Sequence, residues 1–216
     1  MKRHLRIPLF LLISLLNSLA SYASNEMSFH QLGVKTGMSD NYIQAIERDK
    51  YGFMWFATRD GLNRYDGYHF KTYTTLRQGA YNNSVEWVAE DAAGNIWIKT
   101  PVNYCFYDRE MDELDNRTEL LLHKIGIFES PRQLFIDDDK NLWCVADNTL
   151  YYYIFSDETL YKQSLPGSVN IADMACRNKR CYILMTDGNV INIDWMHKSI
   201  TKLFHTEIHT LSLIHI

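Results

Sequence analysis

The densest group of chemically capable residues lies between Asp49 and Phe70, in the run DKYGFMWFATRDGLNRYDGYHF. Its carboxylates could act as general acids or bases or hold a metal ion, and its aromatic rings could stack on a sugar. The acidic run 137–139 resembles the start of a calcium loop, but the glycine and the terminal glutamate of an EF-hand are absent. These residue types admit three interpretations: a catalytic site, a metal site, or one copy of a repeated unit.

Internal repetition decides between them. Three segments contain an Asp followed six residues later by a Trp, namely Asp49/Trp55, Asp91/Trp97 and Asp137/Trp143. The first two also share a turn glycine, Gly52 and Gly94, whereas Lys140 and Arg180 stand where this glycine is expected in the third and fourth units. The fourth unit aligns if Ile183 takes the Trp position. A period of about 40 to 50 residues built from short strands is typical of a β-propeller, with one blade per repeat.

The first unit contains the strands and turns that a four-stranded blade requires. Apolar runs at 42–47, 53–58, 62–65 and 69–73 predict strands, and Asp and Gly residues between them predict tight turns. We therefore predict an all-β, partial β-propeller with blades at about 39–73, 83–114, 131–162 and 169–204. The recurring Asp residues are then turn formers, and the recurring Trp residues form the core between blades rather than a sugar-stacking platform.

The two ends of the chain differ from the repeats. Residues 1–23 combine a basic start with an apolar run and a small-residue ending, which predicts a signal peptide and export, although retention as a membrane anchor stays open. Residues 211–216 (LSLIHI) back-translate to a transposon end used as a sequencing adapter, and we interpret them as a non-native tail. The formal charge is −4 and becomes more negative without the leader, which argues against nucleic acid as a partner.

The four cysteines do not form a metal or redox motif. Cys105, Cys144, Cys176 and Cys181 lack any CxxC spacing. Cys176 and Cys181 flank the polar stretch RNKR and could face each other across a hairpin. Two interpretations stay open at this point, a disulfide between them and a pair of buried thiols.

The segment from Phe29 through Tyr73 resembles the two-component regulator propeller repeat of hybrid histidine kinase sensors from gut Bacteroidetes. The resemblance is carried by Gly37-Met38-Ser39, by Gly52-Phe53-Met54-Trp55 and by the run from Gly61 to Gly67. It implies that the chain is the N-terminal part of a periplasmic sensor, with about four blades of a seven-bladed ring. In the full-length protein, a membrane helix and a histidine kinase would follow.

The resemblance also implies a function. Such receptors are homodimers in the inner membrane, detect oligosaccharides released from glycans, and regulate polysaccharide-utilisation genes through phosphorelay. This region would then have no catalytic residue, no metal and no cofactor of its own. It would touch the membrane only through a downstream helix or an uncleaved signal segment.

The ligand would bind on one face of the blades. In a four-stranded antiparallel blade, the second turn and the link to the next blade lie on the same face, which we call the loop face. Polar side chains suited to sugar hydroxyls or uronate carboxylates are predicted there: Asn41, Arg59, Asp60, Asn83, Asn103, Asn148 and Asp187, together with Asn82, Arg132 and Asn170. The competing interpretation is that most of them only shape loops.

Two rival functions come from other classes. An exported glycan-active enzyme is one, because DxxGxxW loosely resembles the sialidase Asp-box, which has one fewer residue between Asp and Gly. A non-catalytic secreted propeller for adhesion or assembly is the other. A membrane helix and kinase encoded downstream would favour the sensor over both.

Overall fold

The computed structural model describes residues 29–75, 83–166, 170–177, 179–197 and 199–206. The chain divides into two compact units, residues 1–32 and 33–216. Within the first unit, the described residues 29–32 form no helix or strand. The helices in the described part of the chain are all too short to cross a membrane. The predicted signal peptide and the predicted non-native tail lie outside the described residues.

The described residues of the second unit form four antiparallel sheets, each with four strands in chain order. We call them blades one to four. Their strands are β1 Ile43–Arg48, β2 Met54–Thr58, β3 Gly61–Tyr65, β4 Phe70–Tyr73, β5 Trp87–Glu90, β6 Ile96–Lys99, β7 Tyr104–Asp108, β8 Glu113–Asp115, β9 Pro131–Ile136, β10 Leu142–Ala146, β11 Thr149–Ile154, β12 Thr159–Ser164, β13 Ile171–Arg177, β14 Arg180–Met185, β15 Asn189–Asp194 and β16 Ser199–His205. The predicted all-β propeller fold is confirmed.

Short helical segments lie outside the sheets. A 3₁₀ turn, Val34–Thr36, precedes blade one. Helix α1, Glu119–Leu122, continues into a 3₁₀ turn, His123–Ile125, in the link between blades two and three. This link places Leu122 and Ile127 in the core between those two blades, where both side chains are buried. The long link is therefore part of the packing between blades.

Hydrophobic cores lie between successive blades. One cluster joins blades one and two around Trp55, a second joins blades two and three around Trp97, and a third joins blades three and four around Trp143. All three indole rings are fully buried, and each packs toward the blade that follows. These tryptophans form inter-blade core, because the following blade covers the face of β2, β6 or β10 that carries the indole ring.

Blade four differs from the predicted alignment by one residue. Ile183 packs in the cluster shared with the preceding blade, the opposite side from the tryptophans. The Trp position is occupied instead by Tyr182, which pairs with Ala175 as Trp55 pairs with Glu47. The cause is a shorter first turn: Arg177 pairs with Arg180 and leaves two residues between them, whereas three lie between Asp49 and Phe53.

In blade three the missing turn glycine does not change the backbone of the turn. Gly52 and Gly94 have φ of 90° and 91°, and Lys140 adopts the same left-handed region at 63°. In blade four the left-handed residue is Lys179, at 59°, while Arg180 begins β14. Non-glycine residues in this region are strained, by about 1–2 kcal/mol. The same turn is therefore kept at a cost in blade three, and blade four has a shorter turn with its own left-handed residue.

Candidate functional site

The repeated Asp and Trp are joined by a hydrogen bond. In each of the first three blades, the Trp indole N–H donates to the second carboxylate oxygen of the Asp: Trp55 to Asp49 at 3.0 Å, Trp97 to Asp91 at 2.8 Å and Trp143 to Asp137 at 2.8 Å. We call this pair the Asp–Trp clamp. The other carboxylate oxygen accepts backbone N–H groups of the turn, including that of the residue four positions on.

The clamp leaves these carboxylates unavailable for acid–base chemistry. Asp49, Asp91 and Asp137 are 4%, 2% and 5% exposed. Burial raises the pKa of Asp137, although hydrogen bonds from Trp143 and Asn141 oppose the shift. Asp138 and Asp139 are exposed, whereas Asp137 is buried, so only the first carboxylate of the acidic run belongs to the clamp. The Asp–Trp clamp explains the spacing of six residues as a structural requirement.

A second group of chemically capable residues ties blade one to blade two. The carboxylate of Asp112 accepts hydrogen bonds from Tyr73 at 2.6 Å, from Tyr107 at 2.7 Å and from Arg64 at 3.3 Å, and it also pairs with Lys71. Burial raises the pKa of both tyrosines, and the hydrogen bond to Asp112 raises it further. Asp112 and Tyr107 belong to blade two, and Tyr73, Arg64 and Lys71 belong to blade one. Their mutual contacts therefore bridge the two blades.

Arg109 makes a related bridge from blade two. Its guanidinium lies 3.3 Å from the buried carboxylate of Asp49 and 3.7 Å from Glu90, and it donates to the backbone oxygen of Gly94 at 3.2 Å. The carboxylate of Glu90 accepts the backbone N–H of Lys50 at 3.0 Å. Sequence patterns missed Arg109 and Asp112, because neither recurs in the other units.

The loop face of blade one brings four polar or aromatic residues together. The Arg59 guanidinium lies 3.6 Å from the centre of the Tyr42 ring, which is 52% exposed. The Asp60 carboxylate accepts a hydrogen bond from the Asn83 side-chain amide at 2.9 Å. The side-chain oxygen of Asn83 is buried and has no hydrogen-bond partner among the described residues. We call Tyr42, Arg59, Asp60 and Asn83 the loop-face cluster.

The other predicted ligand residues make hydrogen bonds to groups in their own loop or in a nearby one. Asn41 accepts the Val34 N–H at 2.9 Å, and Asn103 accepts the Thr100 hydroxyl at 2.6 Å. Asn148 donates to the Leu165 backbone oxygen at 2.8 Å, and Asp187 accepts the N–H of Asn189 at 2.9 Å. Turn-shaping is a direct role for each of these side chains.

Three further residues were predicted on this face. Arg132 is exposed on β9. The backbone oxygen of Asn170 accepts the Thr186 N–H at 2.8 Å. Asn82 lies outside the described residues.

A cavity of about 930 Å³ lies between the inner strands β1, β5, β9 and β13. Six of its charged wall residues pair with one another: Lys99 with Glu86 at 3.5 Å, Arg177 with Asp138 at 2.9 Å and Arg180 with Asp194 at 3.0 Å. A hydrogen bond from His197 lowers the pKa of Asp194 to about 2, with Arg180 adding to the shift. A polar ligand entering here would compete with these pairs. Within the described residues, no group of His, Cys, Asp and Glu side chains is arranged to hold a metal ion.

Comparisons with known proteins agree with the repeat. Residues 37–60 match the family model of the two component regulator propeller. A protein of Formosa agariphila named Histidine kinase P4 is 51% identical over 37 residues, which are 17% of this chain and 3% of that protein. The matched residues 37–60 include β1, β2 and the first turn of blade one.

A solved structure shares the fold. The crystal structure of an extracellular domain assigned to a hybrid two-component system of B. thetaiotaomicron aligns with a TM-score of 0.55 at 23% identity, covering 82% of this chain and 26% of that one. A second such domain from the same organism gives 0.47 at 18% identity, covering 84% and 32%. The chain therefore spans less than a third of either structure. It carries a two-component regulator propeller repeat, in the first blade of a β-propeller fold.

Proposed function

We propose that this chain is part of the ligand-sensing region of a hybrid two-component system, exported to the periplasm and tethered to the inner membrane by a segment beyond these residues. The observation that carries the proposal is the regulator propeller repeat in blade one. The propeller itself performs no chemistry in this proposal, and it has no cofactor. Ligand binding shifts a homodimer between two arrangements, and a histidine kinase domain passes the signal by phosphorelay to polysaccharide-utilisation genes.

We propose oligosaccharides as the ligand and the loop-face cluster as one contact. Half-exposed Tyr42 offers a ring that a sugar can cover, and Arg59 beside it offers N–H donors that fit a uronate carboxylate. Asp60 and Asn83 are already oriented by their mutual hydrogen bond, so binding would cost them little side-chain entropy.

The test uses the full-length receptor and an array of neutral and uronate-containing oligosaccharides, with affinities then measured by calorimetry. Arg59→Ala and Asp60→Ala are each expected to weaken binding about tenfold or more, as for a lost charged hydrogen bond. Arg48→Ala is the matched control, since Arg48 is exposed at the opposite end of β1. Unchanged affinity in both variants would remove the loop-face cluster from the ligand site.

The sensor assignment has its own test. The gene downstream of these residues should encode a membrane helix followed by a histidine kinase. A stop codon soon after the last blade would contradict a sensor whatever the ligand, and would leave the secreted enzyme or adhesion protein as the alternatives.

A further inference from the structure

Blade four lacks the Asp–Trp clamp that closes the first hairpin of the other blades. Arg177 stands at the position of the Asp, and Tyr182 stands at the position of the Trp. Arg177 points to another partner, because its guanidinium pairs with Asp138 of blade three at 2.9 Å. The turn between β13 and β14 therefore has no carboxylate from the repeat to accept its N–H groups.

A cysteine pair lies beside the turn of this hairpin. Cys176 and Cys181 are direct partners across β13 and β14, next to the pair that closes the turn. They are 4% and 0% exposed, and their sulfur atoms are in contact. Directly opposed residues on antiparallel strands have Cα atoms about 4.5–5.5 Å apart, which overlaps the range found in disulfides. Both side chains are thiols in the structure.

We propose that Cys176 and Cys181 form an intrachain disulfide that closes the first hairpin of blade four in place of the Asp–Trp clamp. The oxidant is a disulfide, either that of an oxidoreductase or oxidised glutathione. The thiolate of one cysteine attacks a sulfur of this oxidant and expels one thiol, which gives a mixed disulfide. The second cysteine thiolate then attacks the protein sulfur and expels the other thiol. The two cysteines lose two electrons and two protons, and the oxidant is reduced to two thiols.

In this proposal the two thiols are oxidised during folding, before the pair is buried. In the folded chain, burial raises the pKa of Cys176 well above its usual value, and the contact with Cys181 adds to the shift. The reactive thiolate is therefore scarce once blade three covers the pair. Cys105 and Cys144 lie in other blades, and burial raises the pKa of each to about 12. These two cysteines serve as internal controls that stay reduced.

Peptide mapping tests the pairing without any variant. The reduced, unfolded chain is refolded in a glutathione redox buffer, alkylated under denaturing conditions and digested with trypsin without reductant. Trypsin cuts after Arg177, Lys179 and Arg180, so the two cysteines fall on separate peptides, 163–177 and 181–198. We expect these peptides joined, and the peptides 100–109 and 141–162, with Cys105 and Cys144, alkylated. Alkylated Cys176 and Cys181, or a link to either control cysteine, would overturn the proposal.

Hydrogen exchange tests the role as a clamp. Adding reductant, or replacing both cysteines by Ser, is expected to speed amide exchange in β13 and β14 by about tenfold, as for loss of a short-loop cross-link. The hairpin β9–β10 is the matched control, because Asp137 and Trp143 hold it without a cysteine cross-link. Equal exchange in β13 and β14 with and without reductant would show that the bond, if formed, does not hold the hairpin.

Discussion

The hydrogen bond between Asp91 and Trp97 should contribute measurably to stability. The carboxylate accepts the indole N–H at 2.8 Å, and its other oxygen accepts the Asn95 N–H at 2.9 Å. Trp97 is buried between blades two and three. Blade two suits the test because its clamp carboxylate has no cationic partner among the described residues, whereas in blade one the guanidinium of Arg109 contacts the carboxylate.

The magnitude follows from what Asp91→Ala leaves behind. The indole N–H, the Asn95 backbone N–H and the Asn95 side-chain amide lose their acceptor. An unsatisfied buried donor costs about 1–3 kcal/mol. Removing a buried charge returns part of this free energy, since its desolvation no longer has to be offset. We expect a net loss of about 2–4 kcal/mol in the free energy of unfolding. Trp97→Phe keeps a buried ring but removes the donor.

A double-mutant cycle isolates the hydrogen bond. The free energy of unfolding is measured by urea denaturation, followed by far-ultraviolet circular dichroism, for wild type, Asp91→Ala, Trp97→Phe and the double variant. We expect a coupling energy of about 1.5–3 kcal/mol, as for a hydrogen bond to a charged group. Coupling below about 0.5 kcal/mol, the level found for independent sites, would refute the clamp as an energetic unit.

Two further substitutions test single contacts. The free energy of unfolding in urea should be about 1 kcal/mol higher for Lys140→Gly than for Lys140→Ala. Both variants lose the ion pair with Glu47, but only Gly relieves the strain of the left-handed backbone. Equal stability of the two variants would argue against strain at this turn. Partial burial alone would raise the pKa of Asp112, but hydrogen bonds from Lys71 and the two tyrosines outweigh it and lower the pKa. The stability lost in Asp112→Asn should therefore be largest above about pH 4, near the unfolded pKa, and should shrink as the pH falls further. A loss of stability in Asp112→Asn that is constant between pH 7 and pH 3 would contradict the lowered pKa of Asp112.

The repeat made most of the fold predictable. An Asp at a turn and a Trp in the next strand recur because every blade has to close the same hairpin and fill the same gap, so the pattern is local and visible in sequence. Predicted and observed strands of blade one agree within one residue at each end. The alignment failed in blade four, because its first turn is one residue shorter. The one-residue shift exchanges the two faces of β14, so Tyr182 and not Ile183 takes the Trp position.

The candidate site was only partly predictable. Arg59 and Asp60 stand out because they lie at a turn on the predicted loop face. Their contact partners Tyr42 and Asn83 lie in other segments of the chain. Residue spacing within one segment does not predict contacts between segments. The inter-blade partners of Asp112 and Arg109 were missed for the same reason, since each bridge is made once and has no repeat to reveal it.

The sequence by itself determined that this chain is a propeller built from a recurring Asp and Trp unit, because turn chemistry and strand periodicity are set by neighbours along the chain. Tertiary structure decided what those residues do. It joined each Asp to its Trp by a buried hydrogen bond, turned Lys140 toward Glu47 two blades away, and set Cys176 against Cys181 where that bond is missing. Such contacts depend on strand register and on how blades pack, which are settled only when the sheets assemble.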